Sequence, residues 1–153
     1  MIMLLATLLR RTLVLLLAVL VLTVAVSAHA QNARQLLPGV WRGSYHSAYG
    51  TTAIEYVFQP NGSFSSMANF SSGGYVYFAG PYGWVSAQMI RLTFQQAQPR
   101  QTCGPLGCND MRYPEGESDL IRFVDANTMI MRVAACSPGV TVDGCEVRYS
   151  RAR

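Results

Sequence analysis

From Gly39 onward, apolar and polar side chains alternate with a period of two. Ile54, Tyr56 and Phe58 alternate with Ala53, Glu55 and Val57, and Ile90, Leu92 and Phe94 alternate with Arg91 and Thr93. Such alternation predicts strands with one buried face. The same rhythm runs through Tyr75 to Ala79, Tyr82 to Ser86, Leu120 to Val124, Met129 to Val133 and Val147 to Arg151. Turn residues separate these runs: Pro60-Asn61-Gly62, Ser71-Ser72-Gly73-Gly74 and Asp125-Ala126-Asn127-Thr128. A single helical turn is expected around Asn32 to Leu37, before Pro38. The expectation is an all-β domain of eight or nine strands. A meander of that length hides its edges by closing into an up-and-down antiparallel β-barrel. An immunoglobulin-like sandwich would need Greek-key crossovers and a Cys, Trp, Cys order that this chain lacks.

The first thirty residues follow another pattern. Arg10 and Arg11 precede the apolar run Leu13 to Val26, and Ala28-His29-Ala30 then offers a small-residue cleavage site. This is the order of a secretory signal peptide over residues 1–30, leaving 31–153 as one domain. The rival reading is an uncleaved anchor, because Ile2 to Leu9 is also apolar. The arginines, however, break the run short of the roughly 20 residues that span a bilayer. No stable membrane span is expected after cleavage, and the expected location is periplasmic or secreted.

Beyond residue 30 there are ten arginines, no lysine and eight acids, a net charge of +2. Arginines this scattered argue against nucleic acid as a partner. Cys103, Cys108, Cys136 and Cys145 make an even count, which in an exported chain favours two disulfides. Three pairings are possible. The Gly- and Pro-rich loops Gly104-Pro105-Leu106-Gly107 and Ser137-Pro138-Gly139 favour Cys103 with Cys108 and Cys136 with Cys145. Their spacings depart from those of zinc ligands, so no metal is expected.

Gly39-Val40-Trp41 at the start of the first strand, the long meander after it, and Arg151 at the end of the last strand together resemble the lipocalin and calycin group, in particular its short bacterial members. In that group a Gly-x-Trp motif opens the barrel and an arginine of the final strand packs across the tryptophan at the closed end. The resemblance implies that Trp41 plugs the barrel with Arg151, or Arg153, as its cation-π partner, and that the interior can hold a small molecule. This chain is shorter than a typical lipocalin and shows no C-terminal helix.

Little here suggests catalysis. His46 is the only histidine after residue 30, so no Ser-His-Asp or Cys-His set can be drawn, and neither catalytic residues nor cofactors are expected. Asp110, Glu115, Glu117 and Asp119 fall in what reads as one loop, with no Ca²⁺-loop spacing, and are expected to be solvated. Tyr45, Tyr56, Tyr75, Tyr77 and Trp84 are candidates to line a pocket for a small apolar or amphipathic molecule. The segment from Gln95 to Glu117 has no strand periodicity, and a loop of that length is either functional or disordered. A staple between Cys103 and Cys108 would hold Pro105 and Leu106 forward as a rigid anchor for a protein partner. Two functions follow as expectations: a binding protein with a ligand in the barrel, or an inhibitor or assembly factor that presents the stapled loop to a periplasmic protein.

Overall fold

The computed structural model describes residues 33–47, 50–104, 107–136 and 145–152. The expected signal segment and the loop residues Pro105 and Leu106 lie outside this set. A helical turn over 33–36 leads into eleven strands. They are β1 (Gly39–Ser47), β2 (Gly50–Phe58), β3 (Ser63–Phe70), β4 (Tyr75–Trp84), β5 (Met89–Thr93), β6 (Gln96–Gln98), β7 (Gln101–Gly104), β8 (Gly107–Asp110), β9 (Gly116–Asp125), β10 (Thr128–Val133) and β11 (Glu146–Arg151). Eight of these, β1 to β5 and β9 to β11, close into an antiparallel barrel in sequence order, because β3 pairs with β4 and β1 with β11. β6 is an extra strand on β4, and β7 with β8 forms a separate hairpin. The barrel is the one that the alternating pattern predicts.

Inward positions follow that alternation. Trp41 on β1, Tyr56 and Phe58 on β2, Phe64 on β3, Ile90 and Leu92 on β5, Ile121 on β9, Met129 and Met131 on β10, and Val147 and Tyr149 on β11 are all buried. Aromatic rings run through this interior from Tyr149 to Tyr56, Phe58 and Phe64, and on to Phe94 and Phe78, which stack at 4.2 Å. Tyr113 meets Phe78 edge-on at 5.2 Å and donates a hydrogen bond to the Pro99 carbonyl at 2.9 Å, tying the long connection to the core.

One barrel end is sealed. Trp41 is 0 % exposed and pairs in register with Arg151, whose guanidinium carbon lies 4.3 Å from the indole centroid. The guanidinium donates to the carbonyls of Pro38 at 2.8 Å, Ala126 at 3.0 Å and Leu36. Trp41 Nε1 donates to the Leu37 carbonyl at 2.8 Å, and the Leu37 side chain is itself fully buried. One cation therefore satisfies the last carbonyl of the helical turn and the Pro38 carbonyl just beyond it, and also covers the plug. Gly39 sits at φ +141°, and a Cβ there would overlap the Arg151 guanidinium. The Gly-x-Trp spacing is thus a packing requirement.

Two parts of the chain differ from the sequence expectation. Tyr75 to Ala79 and Tyr82 to Ser86 do not form two strands but merge into the single strand β4. Its first half pairs with β6 and its second half with β5. The handover falls at Gly80-Pro81, where a Cβ on Gly80 would collide with the Thr93 carbonyl and where proline has no amide hydrogen to offer either partner. The segment from Gln95 to Glu117 is also not a plain loop, since it carries β6, β7 and β8 and ends inside β9. Every described side chain of β8 is exposed, so its hairpin has no buried face to give a periodic signal. The hairpin is fastened by Cys103–Cys108, and Cys136–Cys145 is the second disulfide, the pairing favoured from the sequence.

Replacing Trp41 by alanine is expected to destabilise the domain by about 3 to 5 kcal/mol, as loss of a large buried aromatic does. Arg151→Lys, which keeps the charge but loses the planar fork, is expected to cost about 1 to 3 kcal/mol. Urea unfolding measures both; losses below about 0.5 kcal/mol would mean that the seal does not hold the barrel together.

Candidate functional site

Toward the other end of the barrel the inner face becomes polar, beginning at Tyr56, which pairs in register with Trp41. β9 enters from the long connection, and its inward set Glu117, Asp119, Ile121 and Phe123 begins with two acids. Asp119 is 1 % exposed, and its Oδ2 is buried with no hydrogen-bond partner among the described residues. From β2, Tyr56 donates a hydrogen bond to the Glu117 carboxylate. From β11, Tyr149 packs edge-on against Tyr56 with centroids 5.6 Å apart, and Tyr45 on β1 packs half-buried against the same core. Thr52 on β2 and Ser66 on β3 add buried hydroxyls to the inner face.

Gly43 makes room for this cluster. It pairs with Tyr149, and a Cβ would stand 2.7 Å from the Arg148 carbonyl and 2.8 Å from the Tyr149 ring. A larger residue would push the phenol out of place.

Burial sets the electrostatics. Taking a carboxylate out of water disfavours its charge, and a second carboxylate nearby adds to the cost. Burial first, and the Glu117 charge second, push the Asp119 carboxyl up to about 8. Glu117 is also raised by burial, opposed by the Tyr56 hydrogen bond and by Arg91. The Tyr56 and Tyr149 phenols are raised well above their ordinary range, again first by burial, and remain neutral donors. At neutral pH, Asp119 therefore holds its proton in the absence of another cation.

The sequence-predicted site residues divide into three groups. Tyr45 and Tyr56 join the inner cluster. Tyr75 and Tyr77 lie on the outer face of β4, opposite in parity to the inward Phe78 and Tyr82, and so do not line the interior. Tyr77 instead borders an open external groove of about 540 Å³, together with Val57, Ser65, Ala79 and Gln96. Trp84 points inward but at the sealed end, where Arg34 lies 5.9 Å over its ring. The expectation that four acids share one solvated loop is corrected: Asp110 and Glu115 are exposed, whereas Glu117 and Asp119 belong to a strand and are turned inward. His46 is exposed and bonded through Nδ1 to Thr51 Oγ1 at 2.8 Å. Among the described residues, no group of three or more His, Cys, Asp or Glu side chains could hold a metal. Likewise, no described helix is long and apolar enough to cross a membrane.

Sequence reasoning named Glu117 and Asp119 only as members of a solvated acidic loop, and it did not pick out Tyr149. Continuing the period of two backward from Phe123 and Ile121 reaches Asp119 and Glu117, but charged residues at inward positions read as the end of a strand. Comparison with protein-family models finds no match, and comparison with curated proteins finds no significant similarity.

With Asp119 protonated in the folded state but ionised when unfolded, the native protein binds more protons between about pH 4 and about pH 8. Its contribution is full below the unfolded value and declines as pH rises to the folded value. Stability should fall across that window by up to about 1.4 kcal/mol per pH unit relative to Asp119→Asn. Urea midpoints of both proteins measured across the window test this, and parallel curves would refute it.

Proposed function

We propose that this chain is an exported, non-catalytic binding protein that holds a small amphipathic molecule at the polar end of its barrel. The observation that carries the reading is the contrast between the two ends. One is sealed by Trp41, Arg151 and Leu37, and the other presents a buried acceptor, Asp119 Oδ2, among tyrosines. A buried polar atom without a partner costs about 1 to 3 kcal/mol, and a ligand that bonds to it recovers that cost. The lipocalin-like arrangement of Gly39, Trp41 and Arg151 supports the same reading by resemblance. The two disulfides suggest an oxidising compartment outside the cytoplasm, and we take this to be the periplasm or the exterior.

A second reading is favoured by the β7–β8 hairpin, which is paired to no barrel strand and stiffened by Cys103–Cys108. A preorganised exposed hairpin of this kind suits the docking of a periplasmic protein; Pro105 and Leu106, the residues expected to anchor it, lie outside the described residues.

Native mass spectrometry of protein purified from its exporting cells separates the two. A retained small molecule, lost in Ala68→Phe, which would crowd the inner face of β3, supports the barrel reading. A retained protein, weakened by about tenfold when Cys103 and Cys108 are both changed to serine, supports the hairpin. Retention of neither would defeat both.

A further inference from the structure

We infer that the polar end of the barrel recognises a small organic cation, a primary ammonium on an apolar body, through Asp119 and Glu117. The inference rests on the proposed binding function and names the ligand class. Its first ground is the free acceptor. Asp119 is buried at 1 % exposure with Oδ2 unpartnered, so the fold has removed an oxygen from water and given it nothing in return. Its second ground is the charge inventory of the walls. β9 contributes two carboxyls, while β2, β11 and β1 contribute the phenols Tyr56, Tyr149 and Tyr45. β3 adds only the hydroxyl of Ser66, and the buried residues of β5 and β10 are apolar.

Among the described residues, the two cations that bear on these walls, Arg91 and Arg151, have other partners. Arg91 lies on the exposed face of β5, where it reaches the Ser118 hydroxyl at 3.4 Å. Arg151 is committed to carbonyls at the sealed end. β4 adds a fourth phenol, Tyr82, which donates its hydroxyl to the Gln59 carbonyl at 2.9 Å. Among the described residues, an inner surface with two acids and four phenols is therefore completed either by a proton or by a cation from outside.

The geometry favours an ammonium over a metal ion. Strand rise places the Cα atoms of Glu117 and Asp119 about 7 Å apart on one face. One ammonium, with three N–H donors and hydrogen bonds of about 2.8 Å, can bridge two carboxyls at that spacing. Calcium would need about six to eight oxygens. The Tyr56 and Tyr149 rings add π faces beside the charge.

Binding would replace the Asp119 proton by the ammonium, and the displaced proton leaves to solvent. Affinity should therefore rise with pH until Asp119 is ionised.

Titration calorimetry with benzylamine, benzyl alcohol and phenylacetate tests the inference on the purified protein. Benzylamine is expected to bind at least about tenfold tighter than the alcohol, with phenylacetate weakest. Its affinity should increase from about pH 6 to about pH 8 with release of a proton. Asp119→Asn, nearly isosteric, should abolish the preference for the amine, and Glu117→Gln should reduce it, while Glu115→Gln at an exposed neighbouring position should leave it intact. Equal binding of amine and alcohol, or an unchanged preference in a folded Asp119→Asn protein, would overturn the cation inference and leave the general binding reading standing. Failure of all three probes, together with no retained molecule in native mass spectrometry, would overturn both.

Discussion

Everything in this molecule hangs on the placement of one guanidinium. Arg151 lies at the end of the last strand, yet it reaches carbonyls that precede the first strand and one in the β9–β10 turn, and covers the indole of Trp41. A barrel removes sheet edges only if its first and last strands meet in a fixed register. Here the register is fixed by a side chain whose flat, forked geometry allows one solution, with Gly39 kept free of a Cβ so that the fork can enter. With that end closed by an apolar plug, polar residues can be gathered at the other.

The two ends show the same physics with opposite signs. At the sealed end, buried polar groups are matched: the indole N–H has a carbonyl, and the guanidinium has three. At the polar end Asp119 Oδ2 has none, and the carboxyl reacts by holding its proton. A fold that matches every donor contact of a half-buried arginine at one end and leaves a buried carboxyl oxygen unmatched at the other points to an acceptor kept for something else.

The barrel was legible because its strands carry the strict alternation of a one-sided sheet, as in Ile54, Tyr56 and Phe58, and because the turns are marked by glycine with positive φ, as at Gly62 and Gly73. The seal was legible through Gly39, Trp41 and Arg151. What escaped was structure that does not depend on an apolar face. β7 and β8 are held by a disulfide and backbone pairing, β6 borrows half of β4, and the start of β9 points acids inward. Tyr75 and Tyr77 misled for a related reason. Aromatic residues on a strand suit either face, and only the positions of Phe78 and Tyr82 decide which one is inside.

The seal also orders events in time. Its hydrogen bonds join residues more than a hundred positions apart, with sequence separations of 113 and 115. Contacts of such range form late, after the chain has met the entropic cost of bringing its distant parts together. Until β11 arrives, the outer edge of β1 offers an unpaired row of amides and carbonyls, a template for any other extended chain. The nascent protein is therefore most exposed to aggregation at the stage just before completion, and a chaperone that covers the β1 edge would protect it where protection counts most.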